Sequence, residues 1–309
     1  MRVCFFGTPN VAVPYLQALA EGGHDVCTAV TQPDRPAGRG KELRASAVKE
    51  AALSLGVPVL QPETCRCEVF AGELAGLDPE IGVVVAYGNL LTPPILGCAE
   101  RGSLNVHYSL LPELRGGAPV QHALLRGMTE TGVTIQRMVE KLDAGDVLLQ
   151  ERVAIDHEDD CAALFDRLNA VGPSLLIEAL RLVGTGEARF MPQDASAVTW
   201  APELSKDDCR VDWAAPADDT RNQIRACAPR PGAFAFRGDR RLKILAAEVV
   251  ADAEGQPGTI AEQTADGVPV VAAGSGGIAL RTLQPEGKRA MSGVDYARGA
   301  RFESGERLT

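Results

Sequence analysis

The 309-residue sequence reads as an α/β protein: an open, mostly parallel sheet in its first part, then a small C-terminal β-barrel or sandwich. Three observations predict this. Short apolar runs alternate with helical patterns up to about residue 110. The run Ile81-Gly82-Val83-Val84-Val85-Ala86 is apolar on both faces, as a central parallel strand covered by helices must be. Beyond Ser205 the rhythm changes to short extended runs separated by Gly-containing turns.

Taken in order, residues 3–6 predict a buried strand and residues 10–19 a helix, with Asn10 as its N-cap and Gly22-Gly23 as its end. A second strand is expected over 26–30. A long polar loop, a helix over 45–55 and an extended stretch over 57–60 follow. After the central strand at 81–86, residues 103–106 read as another strand. Segments 133–139 and 146–155 flank the turn Lys141-Leu142-Asp143-Ala144-Gly145, and a long helix is expected over 160–183. From Gly184 to Ser205 periodicity is lost and Pro192 and Pro202 appear. The expected organisation is therefore a sheet domain over 1–189, a linker over 190–205 and a second domain over 206–309. Extended runs in the second domain are expected at 233–236, 242–250, 258–262, 268–272 and 278–283.

Composition narrows the function classes. With 41 acidic and 31 basic residues the net charge is −10, which disfavours indiscriminate nucleic-acid binding. The excess acid lies in the first two thirds, because residues 206–309 carry 15 of each sign. A polyanion would have to be met by local basic patches. No run approaches the ~20 apolar residues of a membrane helix, and Thr8-Pro9-Asn10 interrupts the first apolar run too early for a secretory signal. Cys4, Cys27, Cys65, Cys67, Cys98, Cys161, Cys209 and Cys227 contain no C-x-x-C pair, so they read as thiols in a reducing cytoplasm. A zinc site using Cys65, Cys67 and a distant His has the wrong spacing for the familiar structural sites. Gly7-Thr8-Pro9 is neither a dinucleotide fingerprint nor a phosphate-binding loop, which argues against NAD or ATP.

The densest chemistry lies in Asn105-Val106-His107-Tyr108-Ser109-Leu110-Leu111-Pro112-Glu113-Leu114-Arg115-Gly116-Gly117-Ala118-Pro119. Strand side chains alternate, so Asn105 and His107 share a face where a buried strand runs out into a loop. An amide donor beside an imidazole suits a reaction that builds negative charge on a carbonyl oxygen. The plainer alternative is that they cap the strand end. Ser109-Leu110-Leu111-Pro112 forms a stiff apolar loop able to line a pocket. Arg115-Gly116-Gly117 permits a tight turn and is expected to place a cation at the rim. Asp143, in a Gly-containing turn, is within reach of His107, where a carboxylate would fix the tautomer and support the protonated ring. Alternatively it is an Asx-turn residue. His24, His122 and His157 read as structural or exposed.

These residues resemble the folate-dependent formyltransferases. The resemblance rests on Asn105 to Pro119 with Asp143, and extends through Phe6-Gly7-Thr8-Pro9, Ala86-Tyr87-Gly88, Gly132-Val133-Thr134-Ile135, Leu204-Ser205-Lys206 and Ile224-Arg225-Ala226. The run Thr31-Gln32-Pro33-Asp34-Arg35-Pro36-Ala37-Gly38-Arg39-Gly40-Lys41 is similar to the loop of members that act on methionyl-tRNA. Ala45-Ser46-Ala47 stands where Pro-Ser-Pro is common, and Leu114 replaces a usual aromatic. The resemblance implies a Rossmann-like sheet domain and an OB-like barrel, with Asn105, His107 and Asp143 as the catalytic trio. It implies a folate pocket that includes Ser109, Leu110, Leu111 and Pro112, with Ala86, Tyr87 and Gly88 nearby.

The implied reaction moves a formyl group from 10-formyltetrahydrofolate to the α-amino group of methionine on initiator tRNA, with Asn105 and His107 stabilising the oxyanion and Asp143 assisting. No metal, membrane or covalent enzyme intermediate is implied, and a cytoplasmic monomer is expected. Transfer RNA would be met by two basic stretches. Arg35, Arg39, Lys41, Arg44 and Lys49 face only Glu42 within their run, and Arg225, Arg230, Arg237, Arg240, Arg241 and Lys243 face only Asp239. Arg35, Arg39, Lys41, Arg44, Arg225 and Lys243 are the expected contacts. The competing readings are a formyltransferase for a small amine, such as an aminosugar nucleotide or glycinamide ribonucleotide, and a non-catalytic tRNA-binding protein.

Overall fold

The computed structural model describes residues 1–37, 42–300, 302 and 305–309. The chain runs through β1 (Arg2–Gly7), α1 (Val13–Glu21), β2 (Asp25–Val30), β3 (Arg35–Ala37), β4 (Glu42–Arg44), α2 (Ala47–Ser54), β5 (Val59–Leu60) and α3 (Glu68–Ala75). It continues with β6 (Ile81–Val85), α4 (Pro93–Leu96), β7 (Ser103–His107), α5 (Pro119–Leu125), β8 (Glu130–Arg137), β9 (Val147–Ala154) and α6 (Cys161–Thr185). Seven of these strands form one sheet in the order β5-β2-β1-β6-β7-β8-β9. β1 is parallel to β2 and β6, β2 to β5 and β6 to β7, whereas β8 returns antiparallel to β7. The sheet is thus an open, parallel-rich, Rossmann-like one.

Burial of both faces explains the apolar runs. Cys4 and Phe6 of β1 join Val30, Phe70, Leu74, Val84 and Ile95 in one cluster. Val3 and Phe5 point the other way and are equally buried. Local details differ from expectation at two places. Asn10 is not an N-cap: residues 10–12 form a 3₁₀ turn, and α1 starts after Ala12 with a proline in its first turn and no side-chain cap. Proline's fixed φ and missing N–H suit that position, so no cap is needed. The polar loop after β2 holds an antiparallel hairpin, β3 with β4, in which Arg35 pairs with Arg44. Ser46, within the stretch expected to start a helix, caps α2 by accepting from Lys49 N at 3.0 Å.

Contacts divide the chain into two compact units. The first is Met1–Gly116, Thr131–Val153 and Asp166–Trp200; the second is Gly117–Glu130, Ala154–Phe165 and Ala201–Thr309. A single linear boundary does not reproduce this division. Residues 190–200, read from sequence as linker, are bonded into the first unit, where Met191 and Val147 exchange backbone hydrogen bonds of 2.8 Å each way.

In the second unit α7 (Ala217–Cys227) precedes β10 (Ala233–Arg237), β11 (Arg240–Val250), β12 (Ile260–Gln263), β13 (Pro269–Ala272), β14 (Gly277–Pro285), β15 (Met291–Ser292) and α8 (Gly293–Ala300). The antiparallel order is β10-β11-β14-β13-β12, with β15 on β14. The chain's last residues join the two outer strands: Phe236 N donates to Thr309 O at 2.6 Å and Ile260 N to Glu306 O at 2.8 Å. A barrel disposes of its exposed edges in this way. Trp213, Ile224, Leu242, Ile244, Ile278, Leu280 and Leu308 fill the interior. All eight cysteines are free; the Cys227 and Cys209 sulfurs sit 3.1 Å apart in this interior. Among the described residues no helix is long and apolar enough to cross a membrane, and no group of three or more His, Cys, Asp and Glu could hold a metal ion.

Candidate active site

β7 carries the site to the carboxyl end of the sheet, where open α/β folds place ligands. Its register sets Asn105 opposite Gln136 and His107 opposite Thr134 on β8. Directly opposed residues of an antiparallel pair share a face, so these four side chains lie together. Leu104 and Val106 point into the opposite layer and are buried. Asn105 is the half-exposed residue of the strand, and its amide makes no hydrogen bond among the described residues. It is a donor held in reserve.

His107 is only 5% exposed. Its Nε2 lies 2.9 Å from Leu114 O. A carbonyl oxygen only accepts, so Nε2 carries a proton and Nδ1 is the nitrogen left for chemistry. Nδ1 lies 3.6 Å from Asp143 Oδ1, an ion-pair separation too long for a hydrogen bond. The Asp143 carboxylate is held from elsewhere: Oδ2 accepts from Gly116 N at 2.9 Å and Oδ1 from Gln136 Nε2 at 3.1 Å. The turn that carries it is tight. An added Cβ on Gly145 would stand 1.7 Å from Arg137 O, so no side chain fits there.

Left-handed backbone concentrates here. Of four non-glycine residues with positive φ among the described ones, Ala86 (φ 46°), Leu114 (φ 59°) and Asp143 (φ 47°) belong to this site; Asp78 (φ 50°) does not. Such conformations persist only where surrounding contacts over-determine them, and they cluster at functional sites. Leu114 is held by its amide, which donates to Thr199 Oγ1 at 2.8 Å, while its carbonyl accepts the hydrogen bond from His107 Nε2.

The residues expected to line the folate pocket separate into two kinds. Ser109 is wholly buried and its hydroxyl donates to Glu113 O at 2.6 Å, so it shapes the loop. Leu111 is buried as well; Leu110 and Pro112 stay partly open. In the 86–88 turn the Tyr87 ring is core, edge-on to Phe6 at 5.6 Å, with its hydroxyl 3.2 Å from Cys65 Sγ. Burial pushes that phenol far above its usual range. Ala86 and Gly88 are exposed, and the Tyr87 carbonyl between them is fixed by Thr8 Oγ1 and Gln32 Nε2.

Arg115 corrects an expectation. It is 5% exposed rather than at the rim, and its guanidinium donates twice to Gln193 Oε1, at 3.1 and 2.7 Å. Gln193 and Thr199 were missed because they lie in an aperiodic stretch with no motif.

The basic residues also divide. Arg35 and Arg44 are exposed on the β3–β4 hairpin; Arg39 and Lys41 lie outside the described residues. Lys49 is paired with Asp34 at 2.6 Å, which removes it from the free charge of that run. Arg225 donates to Asn222 Oδ1 at 3.0 Å and to the carbonyls of Asp156 and Asp159 at 3.4 Å. Lys243 donates to Pro231 O, and Arg237 is paired with Glu306. Arg230, Arg240 and Arg241 are exposed.

The formyl transferase family model matches residues 1–180, and the formyl transferase C-terminal domain model matches residues 203–301. The methionyl-tRNA formyltransferase of Moorella thermoacetica is 43% identical over 309 residues, covering 100% of this chain and 99% of its own. That of Bacillus velezensis is 41% identical over 308 residues, covering 99% and 97%. Among solved structures, an N-formyltransferase from Helicobacter canadensis in complex with folinic acid and dTDP-3-aminofucose superposes with a TM-score of 0.68 at 16% identity, over 91% of this chain and 99% of its own, which speaks to fold alone. With both models matched in order along nearly the whole length, the chain belongs to the formyl transferase family.

Proposed function

We propose that the protein transfers a formyl group from 10-formyltetrahydrofolate to the α-amino group of methionine carried by initiator tRNA. The carrying observation is the triad of Asn105, His107 and Asp143: an unspent amide, a ring nitrogen not used by the fold, and a carboxylate 3.6 Å from it on one half-open face. Full-length relatives at 41–43% identity named methionyl-tRNA formyltransferase support the substrate, and the folinic acid of a fold neighbour supports a folate donor.

The folate donor supplies an activated formyl carbon. The chain's own residues supply the rest. Leu110, Pro112 and the backbone of 86–88 line its binding surface. Asn105 offers an amide N–H to the formyl oxygen as negative charge builds there, and His107 adds an Nδ1–H when its ring is the imidazolium that Asp143 supports, Nε2–H being spent on Leu114 O. Asp143 orients the imidazole and takes up the proton the attacking amine must lose, directly or through water; as the oxyanion collapses the formyl C–N10 bond breaks and that proton passes to N10, releasing tetrahydrofolate. An α-amino pKa near about 8 leaves a usable neutral fraction at pH 7. In this reading the first unit is the catalytic one, and residues 206–309 of the second contact tRNA. Contacts to tRNA come from Arg35, Arg39, Lys41 and Arg44, and from Lys243 with the exposed Arg230, Arg240 and Arg241 around it, whereas Arg225, expected from the sequence as a contact, is spent on Asn222, Asp156 and Asp159 and supports that surface from within. A cytoplasmic monomer fits this role.

The test is a transfer assay with 10-formyltetrahydrofolate and, in parallel, initiator Met-tRNA, elongator Met-tRNA, an aminosugar nucleotide and glycinamide ribonucleotide. Formyl-methionyl-tRNA formed only with the initiator is the expected outcome. Formylation of a small amine with none of tRNA would overturn the substrate. Product from none of them would leave a tRNA-binding protein without catalysis.

A further inference from the structure

We infer that Gln193 is a positioning residue for the reaction, holding the Asp143 carboxylate at His107 while the buried Arg115 fixes the orientation of its amide; this rests on the roles proposed above for His107 and Asp143. The assignment follows from what each partner can do. A guanidinium only donates, so the Gln193 oxygen faces Arg115, at 3.1 Å from Nε and 2.7 Å from Nη2. The Gln193 amide nitrogen therefore faces three acceptors: Asp143 O at 2.9 Å, Gly145 O at 2.7 Å and Gln136 Oε1 at 3.3 Å. Because Gln136 spends its oxygen on Gln193, its own amide nitrogen is turned to Asp143 Oδ1 at 3.1 Å. Arg115, Gln193, Gln136 and Asp143 thus form a directed chain of donors ending at the carboxylate.

Gln193 grips two carbonyls of the turn that holds Asp143 at φ 47°. That left-handed conformation is sparsely populated for a residue with a Cβ and needs external support. If it relaxed, the carboxylate would swing away from Nδ1. No carboxylate pairs with Arg115 among the described residues, and its guanidinium is met by the Gln193 amide. Charge buried against a neutral amide is costly as a stability device. It is well suited to making one amide orientation unique.

The test uses Gln193→Ala and Gln193→Glu in the full chain. The Glu variant keeps an acceptor for Arg115 but turns the donor facing the two turn carbonyls into a repelling oxygen. Both variants are expected to lose about 10²-fold in kcat, the scale of a misplacement near 1 Å, with KM for Met-tRNA and for the folate unchanged. The ¹⁵N signals of the His107 ring should move in the direction seen for Asp143→Asn. A folded Gln193→Glu with parental kcat, or a kcat loss with parental His107 signals, would overturn the inference. So would a Gln193→Glu protein that does not fold, which would make the residue structural. If the parent protein formylates no Met-tRNA, the substrate reading fails, and the ring signals still decide the positioning role.

Discussion

The catalytic face of β7 and the basic hairpin β3–β4 are built on opposite terms. At the first, the side chains of His107, Asp143, Gln136, Gln193 and Arg115 each have a named partner in a protected setting, and the Asn105 amide and His107 Nδ1 are the groups left over. At the second, Arg35 and Arg44 project into solvent from strands of three residues. The contrast teaches where precision is needed. Stabilising a developing charge requires donors that do not move. Attracting a polyanion requires only that charge be accessible, because phosphate contacts act at range and depend on salt.

The largest effects should fall on the catalytic face. Asn105→Ala, His107→Ala and Asp143→Ala are each expected to lower turnover by about 10²–10³-fold, as loss of one oxyanion donor does, with circular dichroism unchanged. The Asn105→Ala/His107→Ala pair should lose far less than the product of the two, since the residues act as a unit. Strict multiplicativity in the double variant would separate them into independent contributors.

Next comes the turn that carries the carboxylate. Gly145→Ala forces a methyl to 1.7 Å from Arg137 O, so the backbone must shift. A cost of about 1–3 kcal/mol in unfolding free energy is expected, with a fall in kcat, read by thermal denaturation and assay of the same preparation. A variant with parental stability would show that the turn yields easily and that Asp143 is less rigidly held than the contacts imply.

Smaller effects sharpen the contrast between exposed and committed arginines. Arg44→Ala should leave stability within about 0.5 kcal/mol and flatten the dependence of log KM for tRNA on log salt by about 1. Arg225→Ala should do the reverse, costing about 1 kcal/mol through three lost hydrogen bonds with little change in slope. Equal slopes would mean that the hairpin arginines meet no phosphate.

The smallest effect concerns Asp34, whose carboxyl is held below its ordinary value by hydrogen bonds from Lys49 and Gln61. A carboxyl depressed in the folded state contributes stability above its unfolded pKa, near about 3.9, and loses it as pH falls through the lower folded value. Asp34→Asn should therefore narrow the gap in melting temperature between neutral pH and pH below about 4. An unchanged gap would show the pair to be fully screened.

Much of the fold was legible in the residues because its signals are local. The both-sided apolar run at 81–86 could only be a covered central strand, and β6 occupies 81–85 at the middle of the sheet. The five extended runs of the second unit all appear as β10 to β14, although helices α7 and α8 gave too little apolar periodicity to be read. Asn105 and His107 were legible as a pair by strand alternation. Asp143 was legible as a carboxylate within reach of His107, but the choice between that and an Asx-turn residue needed the family resemblance. The burial of Arg115 was not legible at all. A charged residue beside two glycines looks like a solvated turn, and its partner Gln193 lies 78 positions away.

Sequence by itself determined most of the strands of both units and the long helix, that a polar pair would emerge at the end of β7, and that positive charge would gather in two runs. These follow from side-chain period, backbone φ preference and charge count, which act over a few neighbouring residues. Tertiary structure alone decided that Arg225, Arg237 and Lys49 are committed to internal partners, and that an aperiodic stretch supplies Gln193 and Thr199 to the site. Those outcomes depend on which distant carbonyl or amide is brought within 3 Å, and hydrogen bonding is too short-ranged and too directional for spacing along a chain to announce it.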